Sequence, residues 1–232
     1  AKAYGVYNEA TASYASAFGY GNKVGGEHAI ASGYNNNIAG NFASAFGTEN
    51  TVSNIRSAAV GSNNTVSGEI SNAFGYNNIA SGSKSNVFGT GNTVSGSSSN
   101  AVGTANEVAA ENSTAIGNNN TISSGAENSA ALGNNISISL KASVALGNNS
   151  TATAINSVTG NSSYTKWAGV SDVVGVVSVG SSGATRQIQN VAAGQVSATS
   201  TDAVNGSQLY EVAQKAAQQA ASATQKKSNS ST

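Results

Sequence analysis

Glycine recurs in this chain at a fixed step. Gly5, Gly19, Gly33, Gly47, Gly61, Gly75, Gly89, Gly103 and Gly117 lie 14 residues apart, and the series continues at Gly133 after a step of 16 and at Gly147 after another 14. A period this regular restricts the fold more than composition does. Each copy must be one structural unit that cannot bury its own apolar face and is stabilised by its neighbours. Fourteen residues are too few for a strand–helix–strand unit. They suffice for one coil of a solenoid with two short strands and two turns.

Aligning the copies on this glycine gives five further rows. Two residues before it stands Ala (Ala17, Ala31, Ala45, Ala59, Ala73, Ala101, Ala115, Ala131, Ala145), with Val87 as the exception. One residue before it stands a large apolar side chain: Phe18, Phe46, Val60, Phe74, Phe88, Val102, Ile116, Leu132 and Leu146, interrupted by Ser32. Three residues after it comes Asn, from Asn22 to Asn120, and five after it a β-branched residue such as Val24, Ile38 or Val108. Seven after it a second glycine recurs at Gly26, Gly40, Gly68, Gly82 and Gly96. Val, Ile, Phe, Ser and Thr fit strands, and Gly and Asn fit turns that need positive φ. Each coil therefore reads as two runs of about five residues, each closed by a Gly or Asn turn. Coils stacked at strand spacing would form a rod roughly 50 Å long with Asn side chains in a hydrogen-bonded ladder. The 16-residue coil from Gly117 to Gly133 should bulge by two residues around Ser123–Gly125.

Side chains alternate along a strand, so the Ala row and the large apolar row face opposite ways. A thin coil has little room inside, which favours Ala and the β-branched row in the interior. The Phe/Val/Ile/Leu row then becomes an apolar stripe along the outside. A soluble protein rarely exposes so long a patch, so the stripe calls for a partner.

Composition excludes several classes. Charged residues are 9%, with 10 basic and 10 acidic, so there is no electrostatic reason to bind nucleic acid or an acidic membrane. There is no Cys, hence no disulfide and no thiolate chemistry, and no Met, which suggests a piece of a longer chain. No leader peptide is visible in AKAYGVYNEA, and no segment approaches the roughly 20 apolar residues of a membrane helix.

The period stops after ASVALGNNSTATA. Residues 156–185 hold Tyr164, the single Trp167 and a strand-like run from Val173 to Val179. RQIQNVAAG and STDAVNGSQLYEV follow, where Asp202 is placed to cap a helix containing Leu209. Leu209, Val212, Ala216, Gln219 and Ala223 fit a weak heptad seam, and the closing KKSNSST reads as frayed.

At this point a resemblance is plain. SNAFGYNN, STAIGNNN and SVALGNNS resemble the head repeats of the YadA-like trimeric autotransporter adhesins, and VSVGSSGATRQIQNVAAG with STDAVNGSQL resembles their neck. The resemblance covers almost the whole chain, and repeat and neck occur in the family's order. It implies an all-β solenoid, a left-handed parallel β-roll in a homotrimer, followed by a neck and the start of a coiled-coil stalk. The boundaries would be 1–155 for the head, 156–210 for a neck with an insertion at 156–172, and 211–232 for the stalk. It also implies display on a bacterial surface through an outer-membrane barrel that lies outside this sequence. The expected partners are host proteins, either a matrix protein such as collagen or a cell-surface glycoprotein such as a carcinoembryonic-antigen-related adhesion molecule. The large apolar row would be the trimer interface. Trp167, Arg186, Asp202, Asn205 and Leu209 would be structural in the neck, with Arg186, Asp202 and Asn205 in cross-chain contacts.

Chemistry finds little support in the residues. His28 is the single histidine and sits at a variable turn position, where a solvated turn residue is the simpler reading than a general base. Glu107, Glu111 and Glu127 fall in neighbouring coils, but glycan cleavage needs two carboxylates held about 5–10 Å apart, and a solvated surface explains them better. The repeat GGxGxD of calcium-binding solenoids is missing, as is any metal-ligand or phosphate-loop spacing. No cofactor is expected. Tyr20, Tyr34 and Tyr76 directly follow the repeat glycine. They are the candidate receptor contacts, against a plainer reading as turn packing. A polysaccharide-acting solenoid and a structural or ice-binding solenoid remain the alternatives. Ice binding is disfavoured by the irregular spacing of Thr51, Thr65, Thr93 and Thr121.

Overall fold

The structure is a computed structural model that describes residues 1–156, 168–170 and 172–229. Two units are distinct. The first comprises Ala1–Asn156 together with Val174–Arg186, and the second runs from Gln187 onward with the described residues before Val174.

The first unit is a parallel β-solenoid. Strands of one sheet stack in a single order of 12, and those of the other in an order of 11, every neighbour parallel. The register follows the sequence period: Asn72–Tyr76 pairs with Asn86–Thr90 so that Ala73 faces Val87, Phe74 faces Phe88 and Gly75 faces Gly89. The two runs of a coil are unequal, and the expectation of five residues in each is corrected here. The first is a five-residue strand, whereas the second pairs over two residues, as in Thr65–Val66.

The interior is narrow and closed. Ala17, Ala31, Ala45, Ala59 and Ala73 are fully buried, as are Val52, Val66, Val94 and Val108 from the opposite strand. Ala on one wall and β-branched residues on the other fill the gap between two backbones.

Two polar ladders run through this interior. Asn78 Nδ2 donates to Asn64 Oδ1 at 3.0 Å and to Gly89 O at 2.8 Å, while its backbone N–H also donates to Asn64 Oδ1. The same pattern recurs from Asn22 to Asn120, where the row ends and Ile136 N–H donates to Asn120 Oδ1. A serine row does the same work at the other edge: Ser71 N–H donates to Ser57 Oγ, and Ser71 Oγ donates to Gly82 O. Among the described residues no buried side-chain polar atom lacks a partner, which is what makes so many buried amides tolerable.

The asparagine row is therefore core and not turn. The left-handed turn residue is the one before it, such as Asn63 or Asn77. The second glycine row also has a different reason from the one expected. Gly82 has no positive φ, but a Cβ on it would collide with the carbonyl of Gly96 in the next coil. The positive φ falls two residues later, at Lys84.

The long coil bulges where the spacing predicts. Ser123 N–H still bonds to Ile138 O and Asn128 N–H to Glu111 O, so the two extra residues are accommodated at Ser124 and Gly125. Residues 174–186 add a final rung. Val177–Ser178 pairs with Val144–Ala145, and this two-residue strand replaces the longer one expected from Val173 to Val179.

In the second unit the helix spans Gly206–Asn229, so Lys226–Asn229 are helical and not frayed, and the helix begins before the expected stalk boundary at 211. Its cap is Asn205 and not Asp202. Asn205 Oδ1 accepts from Gln208 N–H while Gln208 Oε1 accepts from Asn205 N–H, a reciprocal capping box. Asp202 instead accepts from Gln195 N–H at 2.9 Å. No helix of the described residues is long and apolar enough to cross a membrane.

Candidate functional site

The large apolar row lies on the outer face of the five-residue strands. Phe18, Phe46, Phe88, Val102, Ile116, Leu132 and Leu146 are 37–53% exposed, and Val60 and Phe74 are half-buried. Strand register puts them in one file, starting at Tyr4, which stacks on Phe18 at 5.2 Å. Phe74 and Phe88 stack at 4.9 Å with planes 1° apart. Ser32 stands in the file between Phe18 and Phe46.

Tyr20 and Tyr34 are stacked in adjacent coils, ring centroids 5.4 Å apart, and Tyr7 meets Tyr20 edge-on. Tyr76 occupies the same row, but Thr48 and Ser62 separate it from Tyr34, so the three do not form one patch.

A second exposed column went unnoticed in the sequence. Tyr14 stacks on His28 at 4.6 Å, His28 on Phe42 at 5.0 Å, and the Arg56 guanidinium lies 5.9 Å from the centre of the Phe42 ring. His28 is thus a turn residue, as read, but both faces of its ring are covered. The signal was the same period: Tyr14, His28, Phe42 and Arg56 are 14 residues apart.

Arg186, Asp202 and Asn205 of the neck already have partners within the single chain. Arg186 lies under the last coil, donating to Asn148 O, Val179 O and Ser150 Oγ. Asn205 Nδ2 donates to Val191 O, which adds a tether to its capping role. Gln208 Nε2 and Oε1 bridge to the backbone of Gly194. Leu209 is 66% exposed on the helix, and Trp167 lies outside the described residues. The exposed Glu211 carboxyl is held below its usual range by the hydrogen bond from Lys215 at 2.6 Å.

Glu111 and Glu127 occupy corresponding turn positions of consecutive coils, as their carbonyls accept from Asn128 and Ala142. Glu107 lies on a strand. No group of three His, Cys, Asp or Glu gathers among the described residues.

The family profile described as the YadA head domain repeat matches residues 10–36, 95–120 and 141–158, and the profile for the coiled stalk of trimeric autotransporter adhesin matches residues 187–232. Together they cover about half of the chain, on the roll and on the helix in that order. The chain belongs to the YadA-like trimeric autotransporter adhesins. Among curated relatives of this YadA-like chain, the autotransporter adhesin BtaE of Brucella suis biovar 1 is 52% identical over 65 residues, which are 28% of this chain and 9% of that protein. Among solved structures, the C-terminal YadA-like domain of a Burkholderia pseudomallei protein is 33% identical, with a TM-score of 0.36, 47% of this chain and 50% of that one being covered. YadA-like adhesins are surface proteins anchored in the outer membrane, and they are adhesins and not enzymes.

Proposed function

We propose that this chain is the head, neck and stalk start of a homotrimeric adhesin that attaches bacteria to a host cell or matrix through the lateral faces of its rolls. The observation that carries the reading is the exposed file from Phe18 to Leu146 on a roll whose interior is otherwise fully closed. Burying one large apolar side chain contributes about 1.5–3 kcal/mol. A file of them repeated on three chains favours a parallel trimer about an axis along the stripe. Phe18, Phe46, Val60, Phe74, Phe88, Val102, Ile116, Leu132 and Leu146 are then the interface. Residues 1–155 act as the head, 156–210 as the neck and 211–232 as the stalk start. Trp167, Arg186, Asp202, Asn205 and Leu209 serve the neck, where the contacts of Arg186, Asp202 and Asn205 extend to neighbouring chains.

Each lateral patch is then presented three times. Linked weak contacts raise avidity by about 10²–10⁴ when receptors are suitably spaced, so shallow sites suffice. Tyr20, Tyr34 and Tyr76 are the receptor contacts on this reading, since exposed aromatics are favoured at protein interfaces. The test is binding of the assembled protein, and of a head made monomeric, to immobilised collagen and to a carcinoembryonic-antigen-related adhesion molecule. A large loss of apparent affinity in the monomer supports multivalent adhesion, and equal affinities refute it.

A further inference from the structure

The two edges of the roll have turns of the same left-handed conformation but fill them differently. After Tyr7, one edge uses residues that tolerate positive φ or are small, such as Asn35, Asn63, Asn77, Asn119 and Gly21, with Glu49 as the one exception among the described coils. On the other edge six consecutive coils carry Tyr14, His28, Phe42, Arg56, Ile70 and Lys84, at φ between 54° and 59°. Beyond them the same column reverts to Ser98, Asn112, Asn128 and Ala142. Bulky and β-branched side chains are strained in this region, and such strain gathers where a surface is used. Stacking along Tyr14, His28 and Phe42 returns part of it. Among the described residues Ile70 and Lys84 take no part in a ring stack, so stacking offsets none of their strain.

Stacked rings hide their faces and present their edges, and the edge of an aromatic ring is its electropositive rim. The cations in the column add to this. Neither Arg56 nor Lys84 has a carboxylate within ion-pair distance among the described residues, where the ion pairs are Lys23–Glu9 and Lys215–Glu211. Glu27 and Glu69 flank the column from the preceding turn positions without interrupting it. The strip therefore combines positive rims, a guanidinium fork, an ammonium and the exposed apolar Ile70.

We propose that this edge is a docking strip for an acidic, aromatic-bearing polypeptide segment of the host partner, whose carboxylates meet Arg56 and Lys84 and whose rings lie against the edges of Tyr14 and Phe42. The proposal rests on the adhesion reading and names the chemistry of the partner. Two variants of the whole chain test it: Tyr14→Asn/His28→Asn/Phe42→Asn, which places a residue suited to positive φ in each turn, and Arg56→Gln. Binding is measured on cultured epithelial and endothelial cells and on matrix-coated surfaces, with a random glutamate–tyrosine copolymer and with polylysine as competitors. The triple variant should keep its assembly state and a Tm within about 5 °C of the parent, the scale of a 1–2 kcal/mol change. It should lose about tenfold or more in binding, Arg56→Gln should lose several-fold, and the copolymer but not polylysine should compete. A parent that adheres while both variants adhere equally, or that the copolymer leaves untouched, overturns the strip and leaves adhesion standing. Dissociation of the triple variant into monomers also overturns it, since the column is then an assembly seam. A parent that adheres to none of the surfaces removes the adhesion reading, and the strip with it.

Discussion

Asn78 Nδ2 lies 3.0 Å from Asn64 Oδ1, one coil away, and Asn78 Oδ1 in turn accepts from both nitrogens of Asn92. A single side chain therefore closes bonds on three successive coils. Asn78→Ala leaves the Asn92 donors and the Gly89 carbonyl each short of a buried partner. At about 1–3 kcal/mol for each orphaned group, the loss should reach roughly 3 kcal/mol or more, read by denaturant unfolding. Asn78→Asp should be worse at neutral pH, because a carboxylate cannot donate to Gly89 O or Asn64 Oδ1. Burial beside these oxygens raises the pKa of the new acid in the folded state, so stability should recover as pH falls and the acid becomes a donor.

Gly75 has φ +124°, and a Cβ there would collide with the carbonyl of Gly89. Gly75→Ala has to break the register of two coils, with an expected loss of several kcal/mol. A variant that melts with the parent would show that the coils can separate at that point.

Phe74→Asp places a carboxylate in the apolar file beside Phe88. If three chains close over the file, an unpaired buried charge costs several kcal/mol and the variant should dissociate. Light scattering at micromolar concentration checks this. A parent that is itself a folded monomer would refute the trimer.

Ile70 sits at φ +57° with its side chain exposed. Ile70→Asn should stabilise the roll by about 1 kcal/mol, because Asn tolerates the left-handed region and a β-branched residue does not. The expected rise in Tm is about 2–4 °C.

Asn205→Ala removes the helix cap and the tether to Val191. Loss of such a cap costs about 1 kcal/mol, and circular dichroism should show less helix before the roll melts.

Much of this architecture could be read from the residues because a solenoid repeats its constraints. The Ala and β-branched rows alternate with the Phe–Leu file, and that alternation set the inside and outside of every coil. The extra pair at Ser124 and Gly125 was legible for the same reason. Propensity misled where stacking overrides it. Gly82 and Asn78 read as turn residues, but one is small because the next coil passes close by, and the other is buried to feed a ladder. The turn itself falls to Lys84 or Asn77, and nothing in the chemistry of Lys marks a left-handed residue. At the helix, Asp202 and Asn205 were equally good caps by type, and the decisive fact was Gln208 three residues after Asn205.

The coil that carries Ser124 and Gly125 closes in register on both sides, although its loop is two residues longer. Gly125 has open space where a side chain would grow. The roll thus has a splice point, where foreign peptide can be threaded into one edge while the ladders above and below remain in step. The same scaffold could carry a grafted epitope or tag as cargo at a fixed height along its length.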